Sequence, residues 1–227
     1  MKKYLIFIIA LVIILASAIT SYFLLYQKRI DSPTSTTQNP ISPADTSTQE
    51  PTISDPETKA FKPVSLFANP VADFKARVTK KPFGIYITPQ NSPVQPERFS
   101  GYHNAIDIEY QDVEADVPVF AIADSSVVLS RTAFGYGGVF VISFDLNGAK
   151  HTALFGHIRP SSLPKVGQTF KKGDQIALLG TGYSTETDGE RRHLHFAVLA
   201  NDNLNIKGYV QNESELVSWI DPLTLYN

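Results

Sequence analysis

Two histidines stand one residue apart in the segment RRHLHF, at His193 and His195, in a chain of 227 residues with only five histidines. Side chains alternate faces along a β-strand, so both imidazoles would point the same way, while Leu194, Phe196 and Val198 face a core. The pair is compatible with a metal or catalytic site. It is equally compatible with a half-buried strand whose exposed face carries two imidazoles.

A second candidate group lies in the segment GYHNAIDIEY. His103 and Asp107 are four residues apart, an even offset, so both could face one side of an extended segment. Ile106 and Ile108 flank Asp107 and favour a strand over a helix. One carboxylate and two imidazoles form a reasonable ligand set for zinc with the fourth position open. His103, Asp107 and one histidine of the HLH pair supply that set.

A centre of this kind would favour hydrolysis, because bound zinc polarises a carbonyl and lowers the pKa of water to about 7. A base must then take the proton of the water. The HExxH motif, which supplies a glutamate base in many zinc peptidases, is absent from the sequence. An unligated histidine could serve instead, since its reference pKa is about 6.5. His157, in ALFGHIRP, and the remaining member of the HLH pair are available.

Composition excludes several other kinds of site. The chain has no cysteine, which rules out disulfides, thiolate metal sites and a cysteine nucleophile. Its 20 Lys and Arg nearly balance its 22 Asp and Glu, and no basic patch argues for nucleic acid.

The elements that would position these residues read as short strands separated by turns, which predicts an all-β, mainly antiparallel sandwich or barrel. A short helix is predicted near residues 214–220, and residues 61–81 are predicted to form a short helix or an arm. The predicted strands are FGIYITP, NAIDIEY, VPVFAIA, SSVVLSR, GVFVISFD, KHTALFGH, QIALLG and HLHFAVLA.

The beginning of the chain predicts export. Residues 4–26 carry no charge, and a helix of that length, about 34 Å, could cross a bilayer. We therefore predict an N-terminal transmembrane anchor in residues 1–30, with a cleaved signal peptide as the alternative because Ala16-Ser17-Ala18 is a small-x-small site. Residues 31–60 are rich in Ser, Thr and Pro and predict a disordered tether. Residues 61–227 have the size of one domain.

Three segments in order, HNAID, FGH and HLH, resemble the signature of the lysostaphin-type (LytM-type) zinc metallopeptidases, which cut peptide bonds in bacterial peptidoglycan. The segments DVPVFAIAD, GYGG, VGQTFKKGDQIALLG and DPL extend the resemblance over residues 101–223. It implies a LytM-like β-sandwich or open barrel resembling a barrel-sandwich hybrid. It also implies one Zn²⁺ per chain held by His103, Asp107 and His195, with His157 and His193 as the catalytic pair.

The same resemblance implies that the partners are peptidoglycan peptide stems or cross-links. The domain would then lie outside the cytoplasm of a bacterial cell, anchored at the cell membrane or secreted after signal cleavage. Two features depart from the family. Ala105 stands where the family commonly has glycine, and the segment GTGYSTETDGERR before HLH is longer than usual, which predicts a solvated polar loop. His151 fits no role and is predicted to be a surface or rim residue.

Two alternatives have different functions. A degenerate relative would bind and regulate a partner such as a cell-wall amidase, but such relatives typically lose metal ligands, and this chain keeps all five site residues. The segment VGQTFKKGDQIALLG also resembles barrel-sandwich carrier and efflux-adaptor modules. Those modules would have no use for HNAID together with HLH.

Overall fold

The computed structural model describes residues 66–226 of the chain. The predicted anchor at residues 1–30 and tether at residues 31–60 lie outside the described residues. No helix within residues 66–226 is long and apolar enough to cross a membrane.

The described residues form mainly antiparallel β-sheets with little helix, as the sequence predicted. One short α-helix, α1 (Phe74–Arg77), precedes the sheets, and short 3-10 helices occupy Pro160–Ser162, Thr185–Thr187, Glu213–Ser218 and Pro222–Tyr226. The strands are β1 (Tyr86–Ile87), β2 (Gly101–His103), β3 (Ile106–Glu109), β4 (Pro118–Phe120), β5 (Ser125–Ala133), β6 (Gly137–Leu146), β7 (Ala149–Ile158), β8 (Thr169–Phe170), β9 (Gln175–Leu178), β10 (His193–Leu199), β11 (Tyr209–Val210) and β12 (Trp219–Ile220).

One large sheet carries most of the structure, in the order β12-β10-β7-β6-β5-β8. Strand β3 also pairs with β10, so β3 and β12 share one edge of β10 along different halves of its length. Two smaller sheets have the orders β1-β2-β11 and β4-β9. Within the described part of the chain no sheet closes on itself, so the fold is an open arrangement and not a closed barrel.

Alternation along the central strands separates two apolar clusters. A large cluster on one face includes Phe140, Phe155 and Phe196. A small cluster on the other face includes Val139, Leu154 and Ala197. In β10, Leu194, Phe196 and Val198 face the large cluster, as the sequence predicted, so that His193 and His195 lie on the opposite face.

Both segments that were predicted to contain a short helix form one in their described parts. Within residues 61–81, the helix in the described part spans only Phe74–Arg77. In place of a helix over residues 214–220, a 3-10 helix covers Glu213–Ser218 and strand β12 follows it. Its N-cap is Asn212, which forms a capping box with Glu215; the Asn212 backbone N–H donates to Glu215 Oε1 at 3.0 Å.

Candidate metal centre

His103, Asp107 and His195 come together from three strands. His103 ends β2, and the chain bends at Asn104 and Ala105 before Asp107 enters β3. His103 and Asp107 therefore lie in two different sheets, and not on one continuous extended segment as the sequence predicted. The pairing of β3 with β10 sets Asp107 opposite His195. The pairing of β3 with β10 thus brings together ligand candidates that are far apart in the sequence.

Three side-chain atoms of this group form a nearly equilateral triangle. The distances are 3.3 Å from His103 Nε2 to His195 Nδ1, 3.1 Å from His195 Nδ1 to Asp107 Oδ1, and 3.3 Å from His103 Nε2 to Asp107 Oδ1. A tetrahedral ion with bonds of about 2.0–2.1 Å, as for zinc, has ligand–ligand edges of about 3.3–3.4 Å. Two imidazole nitrogens and one carboxylate oxygen at these distances fit a divalent metal.

Hydrogen bonds to backbone carbonyls fix which ring nitrogen is free. His103 Nδ1 lies 3.2 Å from the Pro82 carbonyl oxygen, which can only accept, so Nδ1 donates and Nε2 keeps its lone pair for the metal. His193 Nδ1 likewise donates to the Arg191 carbonyl at 2.9 Å. Its Nε2 is therefore the proton-accepting nitrogen, and it lies 3.4 Å from Asp107 Oδ2.

His157 reaches the same site through a β-bulge. Gly138 and Val139 of β6 pair with Ile158 and Gly156 of β7, so His157 is one extra residue between them. Its φ of 61° lies in the left-handed region. Strict alternation would put His157 on the large-cluster face, with Phe155. The bulge turns it to the opposite face, where its ring centroid is 4.1 Å from that of His193.

Burial and neighbouring charge set the protonation states of the site. Burial lowers the pKa of His157 to about 3, and His195 adds to this effect. Burial also lowers the pKa of His193 well below its ordinary value, with a further contribution from Arg191. For Asp107, burial alone would raise the pKa, but neighbouring histidines and Arg191 hold the pKa well below its usual range. At neutral pH the site thus combines an ionised carboxylate with neutral imidazoles.

A groove of about 300 Å³ leads to this group of side chains. Aromatic rings form part of its wall: Phe99 stacks on Tyr209 with centroids 5.8 Å apart, and the exposed Phe134 lies edge-on to Phe99. A molecule in the groove can therefore contact both apolar rings and the histidines. The groove residues that belong to the site are Asp107, His157, His193 and His195.

The burial of Arg191 was not predicted from the sequence. That residue is the second-last of the long polar segment, but its side chain is only 2 % exposed and bonds to Asp107 and Glu109 beneath the site. Arg192 is also buried, with a hydrogen bond to the Val113 carbonyl. The expectation of a solvated loop is therefore wrong at its last two residues. In the sequence, the only signals of this burial were the two arginines directly before HLH and the acidic residue Glu109 on β3, the strand that pairs with β10.

Two further residues bear on the expectations from the sequence. The methyl group of Ala105 is fully buried in the small cluster, so it packs in the core. His151 was predicted to be a surface or rim residue, and this is wrong. Its side chain is buried, with Nδ1 donating to the Leu199 carbonyl at 3.1 Å and the ring beside Phe144.

Residues 101–206 match the sequence model of Peptidase family M23. A stretch of 95 residues is 36% identical to a protein of Haemophilus influenzae described as "Uncharacterized metalloprotease" and covers 41% of this chain but 18% of that protein. Among solved structures, Helicobacter pylori Csd3 is similar with a TM-score of 0.43 at 24% identity, over 71% of this chain and 35% of that one. LytU is similar with a TM-score of 0.40 at 24% identity, over 74% and 88% of the two chains.

All five histidine and aspartate residues of the candidate centre fall inside the matched range. A metallopeptidase family implies a metal, and the donor triangle is formed by the residues that the signature assigns to it. The resemblance drawn from the sequence is confirmed: residues 101–206 carry a domain of peptidase family M23.

Proposed function

We propose that the protein is a zinc-dependent endopeptidase that hydrolyses peptide bonds of bacterial peptidoglycan. The observation that carries this proposal is the donor triangle of His103, Asp107 and His195 beside the adjacent rings of His157 and His193. The family match of residues 101–206 and the similarity to a metalloprotease support it.

The side chains divide the chemistry as follows. His103 Nε2, Asp107 Oδ1 and His195 Nδ1 would hold one zinc ion. When bound, zinc supplies Lewis-acid chemistry, which polarises a carbonyl and makes water more acidic. His193 Nε2 accepts the proton of the attacking water, because its Nδ1 is already committed to the Arg191 carbonyl. Donor groups aimed at the developing oxyanion lower the barrier, and the ring of His157 stands beside His193 to supply one.

The direct test uses the full-length protein purified in detergent without chelators. Zinc per chain is measured, and purified peptidoglycan is digested with the wild type, His193→Ala and the control His151→Ala, with fragments analysed by mass spectrometry. We expect about one zinc in each protein and new peptide ends from the wild type and His151→Ala. Loss of the proton acceptor should reduce the rate by about 10²–10⁴-fold.

Other outcomes would separate the alternatives. Bound zinc without cleavage of any wall type would reject the enzymatic proposal in favour of a binding protein, such as a regulator of a cell-wall amidase. A folded wild type that takes up no zinc when supplied with it would overturn the assignment of the site.

We also propose that residues 1–30 hold the domain at the outer face of the bacterial cell membrane. The uncharged run of residues 4–26 supports this location. The test is to compare the N-terminal peptide of the mature protein with its membrane fractionation. An intact N-terminus in the membrane fraction is expected, whereas a soluble protein beginning after Ala18 would show a cleaved signal peptide.

A further inference from the structure

A buried arginine lies directly beneath the candidate metal centre. The guanidinium of Arg191 bonds to Glu109 through three contacts of 2.7–3.1 Å, which engage Nε and Nη2. Its Nη2 also donates to Asp107 Oδ2 at 2.8 Å. The side chain is 2 % exposed, so these contacts are formed in a largely water-free environment. Charge-assisted hydrogen bonds of this kind are stronger and more directional than neutral ones.

The two carboxylate oxygens of Asp107 have separate partners. Oδ1 faces the metal-binding nitrogens of His103 and His195 at 3.3 and 3.1 Å. Oδ2 faces Arg191 Nη2 and, at 3.4 Å, His193 Nε2. A carboxylate can rotate about its Cβ–Cγ bond, and a strong donor on Oδ2 limits that rotation. The contact with Arg191 therefore leaves Oδ1 directed at the two imidazoles.

Glu109 in turn fixes the guanidinium. It lies two residues after Asp107 on β3, and strand register sets it opposite His193 of β10. Because Glu109 occupies Nε and one side of Nη2, the plane of the guanidinium is fixed and Nη2 points towards Asp107. The second carboxylate also balances the charge of Arg191, so the negative charge of Asp107 remains available for a cation.

We propose that Arg191 is a positioning residue of the metal centre, which holds Asp107 in its metal-binding orientation, with Glu109 as its anchor. The inference rests on the metal site of the proposed function. Lysine cannot replace this arginine, because a single ammonium group lacks the rigid fork that contacts two carboxylates at once. Partners that orient metal ligands typically contribute about 10- to 100-fold to metal affinity.

The test compares Arg191→Lys with Arg192→Lys in the full-length protein. Arg192 is a matched control because it is adjacent and buried, but bonds to the Val113 carbonyl and not to Asp107 or Glu109. Zinc affinity is measured by competition with a chromophoric chelator. We expect Arg191→Lys to lose about 10- to 100-fold in affinity, whereas Arg192→Lys should stay close to the wild type.

A second readout reports the ligand geometry itself. The visible absorption of bound Co²⁺ depends on its coordination, so Arg191→Lys should shift the bands seen in the wild type, while Arg192→Lys should leave them in place. If Arg191→Lys does not fold, Glu109→Gln takes its place, because it keeps the shape of the anchor and removes its charge. Glu109→Gln should weaken zinc binding at the lower end of the same range.

The outcomes distinguish this inference from the proposed function. A wild type that binds zinc, together with unchanged zinc affinity and Co²⁺ spectrum in Arg191→Lys, would overturn the role of Arg191 alone. Unchanged zinc binding in a folded Glu109→Gln would do the same where Arg191→Lys fails to fold. A wild type without zinc affinity would overturn both.

Discussion

At the scale of single residues, His157 is held in a backbone conformation that β-carbons disfavour. Its φ of 61° belongs to the left-handed region, which costs a non-glycine residue of order 1 kcal/mol or more. The bulge that imposes this conformation also places the imidazole beside His193. The strained residue, His157, is therefore the one whose side chain the bulge turns towards the site and away from the large cluster.

This strain predicts an unusual order of stability at position 157. Glycine in a strand is normally about 0.5–1 kcal/mol less stable than alanine. At position 157 the order should reverse, with His157→Gly more stable than His157→Ala by about 1 kcal/mol, because only glycine adopts the left-handed conformation freely. Urea unfolding of both variants measures the difference. His193, in a regular part of β10, is the matched control, and there alanine should be the more stable substitution.

At the scale of elements, a buried ion pair joins the two ends of residues 81–97, in the segment before β2. Lys81 Nζ lies 2.5 Å from Glu97 Oε2, and both side chains are 3% exposed. Ser92 donates to the same carboxylate oxygen at 2.8 Å. Lys81 Nζ also lies 3.1 Å from the Tyr209 hydroxyl in the groove wall. The pair therefore connects the wall of the groove to the chain that leads into His103.

The ion pair predicts a specific pH dependence. Burial by itself would raise the pKa of Glu97, but the hydrogen bond from Lys81 and the Phe99 backbone N–H outweigh it, so the folded-state pKa lies below the ordinary value. The folded state thus binds fewer protons than the unfolded one between these two pKa values. The stabilising contribution is complete above the unfolded pKa of about 4.3 and is lost as pH falls through the folded pKa.

Urea unfolding of the wild type and Glu97→Gln over a range of pH tests this expectation. Near neutral pH, Glu97→Gln should cost about 3–5 kcal/mol, because Lys81 is left buried without its partner. The difference between the two proteins should shrink below a pH of about 4. A difference that grows as pH falls would contradict the assignment.

A second contact between elements, centred on Arg98, joins three segments at the rim of the groove. The guanidinium of Arg98 bonds to Glu190 at 2.7 Å and to Asp188, and it lies about 5.5 Å from the rings of Phe99 and Phe134. Asp188 also accepts a hydrogen bond from the Gly135 N–H. The long loop at residues 182–190 is thereby tied to the segment before β2 and to the turn between β5 and β6.

Removal of this tie should affect local motion more than global stability. Arg98 is partly exposed, and exposed ion pairs contribute only about 0–1 kcal/mol. We expect Arg98→Ala to speed hydrogen exchange of amides in residues 182–190 by about two- to fivefold, with the strands β6 and β7 unchanged. Arg131→Ala, an exposed arginine on β5, is the control. Equal hydrogen-exchange rates of these amides in Arg98→Ala and the wild type would contradict this expectation and show that the loop keeps its conformation without Arg98.

At the scale of the whole molecule, the sequence predicted what depends on local pattern. All eight predicted strands overlap an observed strand, because each is an alternating or continuous apolar run. The strands that were missed, β2, β8, β11 and β12, are two or three residues long and exist because a partner strand supplies their hydrogen bonds. The burial of Arg191 was not predicted for the same reason, because it depends on Glu109, 82 residues earlier in the chain.

The ligands of the candidate centre likewise connect distant parts of the molecule, which predicts that metal stabilises the whole domain. His103 and His195 are 92 residues apart and lie in different sheets. Zinc at about 100 times its dissociation constant would stabilise the folded state by about 2.7 kcal/mol. For a domain of this size, that corresponds to a rise in Tm of about 5–11 °C.

The measurement is a thermal scan of each protein with zinc and with chelator, so that the metal-dependent shift is obtained within each variant. His195→Ala should lose the shift, because it removes one corner of the donor triangle, whereas His151→Ala should keep it. Mg²⁺ should have little effect on the wild type, since it prefers oxygen ligands and the site offers two imidazoles. A zinc-dependent shift that survives in His195→Ala would place the stabilising ion elsewhere in the chain.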